Sequence, residues 1–137
     1  MPEQDRMRKV LFVCIENACR SQMAEAFFNK YAKNSIAYSA GSAPAKIINP
    51  RTVEVMREKG IDIANKKPTS FDSLLSENFD SMITIGCKDT CPITPKDKTI
   101  KWDIEDPKGH SVQKYREIRD LIENKVKKFI EELDIDG

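Results

Sequence analysis

The stretch VCIENACRSQMAE, Val13 to Glu25, decides how this chain is read. Just before it, KVLFV (Lys9 to Val13) is short, apolar and rich in β-branched and aromatic residues, the composition of a buried strand. Just after it, SQMAEAFFNKYA spaces Met23, Ala24, Phe27, Phe28 and Tyr31 at helical intervals. A strand, a tight loop and a helix in that order turn successive backbone N–H groups and a helix N-terminus toward one spot, and such a spot binds anions. Inside the loop, Cys14, Arg20 and Ser21 give the pattern C-x5-R-S. A free thiol titrates near ~8.5 and is mostly protonated at neutral pH; a helix N-terminus and a nearby cation bring such groups to between ~3.5 and 7.5. The planar fork of Arg20 can hold two oxygens of a tetrahedral oxyanion, and the Ser21 hydroxyl can donate to the sulfur. The pattern predicts that Cys14 attacks a bound phosphate or arsenate. Arg20 and the amides of the loop Cys14, Ile15, Glu16, Asn17, Ala18, Cys19 and Arg20 would stabilise the charge that develops.

The surroundings suit one α/β domain spanning residues 1–137, with residues 1–7 a loose leader. SIAYSAG (Ser35 to Gly41) reads as a second strand, and NPRTVEVMREKG as a helix with Asn49 as N-cap, Pro50 in its first turn and Gly60 as its stop. A short helix is expected near Ser70 to Ser76, a third strand over Phe79 to Gly86, and a last short strand in KTIKWDI. From about Ser111 to Leu133 one apolar stripe (Val112, Tyr115, Ile118, Ile122, Val126, Phe129, Ile130 and Leu133) marks a long helix that packs on the sheet, with its charges on a solvated face. Strands alternating with helices argue for a mainly parallel sheet, in which ligands bind beyond the carboxyl ends of the strands. Cys14 and Cys87 each follow an expected strand, so both fall on that edge.

A net charge of +1 offers no broad attraction for nucleic acid or an anionic membrane. No apolar stretch is long enough to span a bilayer, and the N-terminus has no signal-peptide core, so the expected compartment is the cytoplasm. Four cysteines (14, 19, 87 and 91) in a reducing compartment point to catalysis, redox cycling or metal binding rather than structural disulfides. Cys19 reads best as a small buried residue. Expulsion of an oxygen leaving group calls for a proton donor, and WDIEDPKG supplies Asp103, Glu105 and Asp106, among which pattern alone does not choose.

VLFVCIENACRSQMAEAF resembles the phosphate-binding loop of the low-molecular-weight protein-tyrosine phosphatase superfamily, and CRSQMAE is similar to the arsenate reductases that share its fold. The likeness runs on through YSAG, NP, GIDIA, MITIGC, CP and WDIEDP to the final helix. It implies a flavodoxin-like three-layer α/β sandwich around a four-stranded parallel sheet. By transfer from the family, Cys14 is the nucleophile, Arg20 the oxyanion clamp and Asp106 the general acid. Glu16 stands where family loops carry glycine, and a carboxylate there must point away from the anion. Cys87 and Cys91 lie closer in sequence than in the thioredoxin-coupled members.

The resemblance implies arsenate reduction, and with it arsenic resistance, by a monomer that needs no cofactor. Cys14 would attack arsenate, Cys87 would attack Cys14, and Cys91 would carry the disulfide onward to a thioredoxin-like reductant. Hydrolysis of phosphotyrosine or small phosphoesters is the alternative; it uses Cys14, Arg20 and Asp106 and leaves Cys87 and Cys91 without a task. A metal held by Cys87 and Cys91 would need two further ligands, and His110, the only histidine, supplies at most one. Some family reductases hold potassium behind the loop, at positions matched here by Asn17, Glu25 and Ser39. The Lys67 ammonium is expected in the ion's place, paired with Glu25.

Overall fold

The computed structural model describes residues 8–74, 78–86 and 99–136. Four strands, β1 (Arg8–Cys14), β2 (Ser35–Gly41), β3 (Ser81–Ile85) and β4 (Thr99–Trp102), form one sheet in the order β2-β1-β3-β4. Every pairing is parallel, with Cys14 opposite Gly41 and Phe12 opposite Ile83. The helices are α1 (Arg20–Tyr31), α2 (Pro50–Arg57) and α3 (Val112–Asp136), and a 3-10 turn covers Phe71–Leu74. This is the α/β parallel sheet that the alternation of elements implies, in the flavodoxin-like arrangement that the family resemblance implies. Residues 1–7, the leader of the sequence reading, lie outside the described residues.

The period of two along β1 sorts its side chains. Val10, Phe12 and Cys14 join the main core with Phe27, Phe28, Ile122 and Phe129. Leu11 and Val13 face the opposite layer, closed by Phe79, Phe71 and Leu74. Aromatic rings knit the main core: Phe12 lies 5.7 Å from Trp102, and Trp102 lies 6.3 Å edge-on from Phe129. Asn49 caps α2 by accepting from the Arg51 amide, and Gly60 turns the chain out of that region at φ +77.

Boundaries differ from the sequence reading where a side chain or the site claims the backbone. The third strand begins at Ser81 rather than Phe79, because the Asp80 amide and carboxylate both bond the Lys9 backbone. It stops before Gly86, whose φ of +62 leaves the extended region. β4 ends at Trp102 rather than Ile104, whose carbonyl accepts from Arg20 instead of a strand. Of the helix expected near Ser70 to Ser76, the described residues Phe71–Leu74 form a 3-10 turn, and residues 75–76 lie outside the described residues.

The charges of α3 are not all solvated. Arg119 is buried and its Nη1 donates to Glu58 (2.6 Å) and to the Val55 carbonyl (3.0 Å), while Arg116 holds the same Glu58 at 2.8 Å. Glu123 is buried too, accepting from Tyr31 at 2.6 Å and pairing with Lys59 at 3.0 Å. These contacts fasten α3 to α1 and α2. No described helix is long and apolar enough to cross a membrane.

The two arginines hold the Glu58 carboxyl down at about 2, chiefly through the Arg116 and Arg119 hydrogen bonds. In the unfolded chain a glutamate titrates near ~4.3. The stability this site supplies is therefore complete above the unfolded value and is lost as pH falls through the folded one. Glu58→Gln is expected to flatten the acid limb of the stability curve between pH ~4.3 and ~2, measured by chemical denaturation at stepped pH. An unchanged limb would show that Glu58 is not linked to folding.

Candidate active site

The loop between β1 and α1 is held by its carbonyls. Ile15 O accepts from the Ala43 amide, Glu16 O from Ala45, Asn17 O from Gln22 Nε2, Ala18 O from Asn49 and Cys19 O from Met23, at 2.9 to 3.2 Å. Five consecutive carbonyls thus point to donors in the 43–49 segment or in α1. In a planar trans peptide the following N–H points the opposite way, so the amides of residues 16–20 are turned back from those donors. Such a reversal needs one residue in the left-handed region, and it is Asn17, at φ +54 and fully buried. Gly41 at the end of β2 completes the seat, because any Cβ there would strike the Ile15 carbonyl and the Asn17 amide.

The orientation of Asn17 sets the protons around the thiol. The Thr69 amide can only donate, and it donates to Asn17 Oδ1 at 2.8 Å. Nδ2 is therefore the end that donates to Ser21 Oγ at 2.7 Å. With that oxygen accepting from Asn17, the Ser21 proton is free for Cys14 Sγ, 2.9 Å away. Cys14, at the carboxyl end of β1, is almost fully buried. Asn17, Ser21 and Cys14 thus form a directed chain of hydrogen bonds that ends on sulfur.

Arg20 opens α1 and is itself buried. Its Nη1 donates to the Ile104 carbonyl (2.8 Å), and Nη2 lies 3.6 Å from Asp106 Oδ2. Of the three acidic candidates, Asp106 is the one beside Arg20. Glu105 instead pairs with Lys114 at 2.8 Å, and that bond holds its carboxyl below the ordinary range. Asp103 is exposed. His110 is a surface side chain 3.8 Å from Glu105. Glu16 faces outward to Lys108, whose Nζ lies 2.9 Å from its carboxylate.

Behind the loop, Glu25 is buried, accepts from Ser39 Oγ at 2.8 Å and pairs with a lysine at 2.7 Å. That lysine is Lys66 and not Lys67, which corrects the sequence reading. Adjacent residues on an irregular segment point apart, and Lys67 reaches the site through its backbone, where its carbonyl accepts from Gln22 at 3.4 Å. No group of three metal-ligating side chains occurs among the described residues.

Residues 9–137 match the model of the low molecular weight phosphotyrosine protein phosphatase family. The chain belongs to that family. Within it, the chain is 33% identical to an arsenate reductase of Brevibacillus brevis over 93% of its length and 97% of the relative. It is 32% identical to a glutaredoxin arsenate reductase of Synechocystis, over 90% of this chain and 97% of the other. The crystal structure of an arsenate reductase from Archaeoglobus fulgidus superposes with a TM-score of 0.79 at 38% identity, covering 88% of this chain and 98% of that one.

Cys87 and Cys91 lie outside the described residues. Cys19 lies inside them, buried against α2, and burial pushes its thiol up to about 12. Such a thiol is neutral and unreactive at physiological pH. Gly86 escaped the sequence reading. A Cβ there would overlap Arg20 Nη1 and the Ile104 carbonyl, so the glycine is the opening through which Arg20 reaches its acceptor. Its only signal in the sequence was its place at the end of a strand, just before Cys87.

Gly86→Ala is expected to displace Arg20 and lower inorganic phosphate affinity by about a hundredfold, as misplaced binding groups do. Titration calorimetry measures it, and parental affinity would show that Arg20 does not serve the anion. Lys66→Met is expected to lower stability by on the order of 1 kcal/mol, since its partner is buried although Lys66 itself is half exposed. Lys67→Met is expected to change little. The opposite ranking in thermal melts would restore Lys67 as the partner of Glu25.

Proposed function

We propose that this protein is an arsenate reductase whose nucleophile is Cys14 and whose reaction ends in an intramolecular disulfide. The observation that carries this reading is the near-complete match to arsenate reductases at about a third identity, on a chain whose thiol sits in an anion-binding loop. The amides of residues 16–20 and the Arg20 guanidinium would bind three oxygens of arsenate and neutralise the charge that grows on them. The Cys14 thiolate attacks arsenic, and the departing oxygen leaves as water with a proton from Asp106. Cys87 then attacks Cys14 Sγ. The S–As bond breaks, its electron pair stays on arsenic, and arsenite leaves as the two sulfurs join. Cys91 attacks Cys87 and frees Cys14, and a thioredoxin-like reductant supplies two electrons to the Cys87–Cys91 disulfide.

Cys14, Arg20 and Asp106 also suffice for phosphoester hydrolysis, the activity named by the family, in which water rather than Cys87 resolves the adduct. The two reactions part at the second thiol. Cys87→Ser is expected to abolish repeated arsenate turnover while leaving hydrolysis of p-nitrophenyl phosphate intact. Cys91→Ser is expected to trap a Cys14–Cys87 disulfide after one turnover, located by peptide mapping. Cys14→Ser is expected to abolish both reactions. Sustained arsenate reduction by the Cys87 variant would overturn the order of the thiols. Absence of arsenate-dependent consumption of reducing equivalents by the unmodified protein, beside brisk ester hydrolysis, would favour the phosphatase.

A further inference from the structure

A carboxylate inside a loop that must hold a dianion is a physical contradiction. The Glu16 Cα is two residues from that of Cys14, so at most about 7 Å of chain separates them. Its peptide is locked in place by the Ala45 amide, so the residue cannot swing away with its backbone. An unpaired charge on that side chain would act on an anion beside Cys14 from a distance comparable with the ~10 Å screening length of 0.1 M salt, and would repel it. The structure answers the contradiction with one side chain. Lys108 Nζ lies 2.9 and 3.1 Å from the two oxygens of Glu16, across a gap of 92 residues in sequence.

Lys108 belongs to the loop that carries Asp106. Its amide donates to Asp106 Oδ1 at 3.0 Å, and Asp106 Oδ2 faces Arg20. A tight turn projects the ammonium: His110 N donates to the Pro107 carbonyl at 2.9 Å, and Gly109 takes φ +86. The pair is exposed, with 59% of the Lys108 and 42% of the Glu16 side-chain surface accessible. Exposed pairs contribute little to stability. Its consequence is therefore electrostatic. Hydrogen bonding to Glu16 raises the Lys108 ammonium above its ordinary value, so it remains charged at neutral pH.

We infer that Lys108 is a positioning residue that cancels the Glu16 charge at the mouth of the oxyanion site, so that a dianion can enter and stay. The inference rests on the oxyanion reading above and assigns to that site a residue on the acid loop. Because the Lys108 contact to Asp106 is made by its backbone, removing the side chain leaves the general acid's own bond in place.

A double-mutant cycle tests this, with inorganic phosphate as the probe and calorimetric affinity as the readout. Lys108→Met is expected to weaken phosphate binding about tenfold at low ionic strength, and less at high ionic strength, since the exposed Glu16 charge is then screened. Glu16→Gln in the Lys108→Met background is expected to restore affinity to within about twofold of the parent. In arsenate turnover the Lys108→Met loss is expected in KM, with kcat retained. If the pair acted only as a mechanical tether, Glu16→Gln, Lys108→Met and the double variant would all weaken binding alike, and the inference would fall. Parental affinity in Lys108→Met overturns it as well. If the unmodified protein binds no phosphate, the oxyanion reading itself fails, which the first titration reveals before any variant is made.

Discussion

The outward pull on five consecutive carbonyls, Ile15 to Cys19, is the constraint on which the rest of the structure depends. A loop of free peptides would present carbonyl oxygens and amides in equal number, and the oxygens would repel an anion. Here each carbonyl is committed to a donor in the 43–49 segment or in α1, so the amides are sorted to the other side of the loop without any cationic side chain being spent on the task. The donors come from the 43–49 segment and from α1. Gly41, where any Cβ would strike the Ile15 carbonyl, lets the end of β2 run close against the loop.

The same packing sets the directions of the protons. Buried polar groups must be satisfied, and Asn17 satisfies several at once: it accepts from Thr69 and Gln22 and donates to Ser21. One rotation of its amide would reverse the chain and leave Ser21 donating to Asn17 instead of to sulfur. The unambiguous donor at Thr69 prevents that rotation. Arg20 is controlled in a comparable way. It is buried, reaches a backbone carbonyl through the opening at Gly86, and keeps its second amino group toward Asp106.

Some charges on or beside α1, α2 and α3 settle into pairs that join elements, while others, such as Lys128 and Glu131, stay on an exposed face. Glu25 with Lys66 braces the back of the loop, and Glu58 with Arg116 and Arg119 locks α3 against α2. Glu25 and Glu123 are buried carboxylates that would be costly without partners, so those two sites also record which elements must be in contact. Fixing α3 fixes its first turn, and Lys114 there draws Glu105 away from the site, leaving Asp106 to face Arg20.

The sequence by itself determined the order of elements, the parallel sheet and the position of Cys14, Arg20 and Ser21 between a strand and a helix. Those features follow from local periodicity and from the short reach of the chain across one loop. It also marked Asn49 as a cap and the apolar stripe of α3, because capping and amphipathic spacing are local properties. What it left open was decided by contacts between distant residues. The choice of Lys66 over Lys67 turns on how an irregular segment crosses Glu25, which no spacing rule encodes. That Asp106 rather than Glu105 faces Arg20 depends on where α3 places Lys114, and the service of Gly86 depends on the path of a side chain from another element. The pairing of Glu16 with Lys108 joins residues 92 apart, and it exists only once the sheet has brought two loops to the same edge.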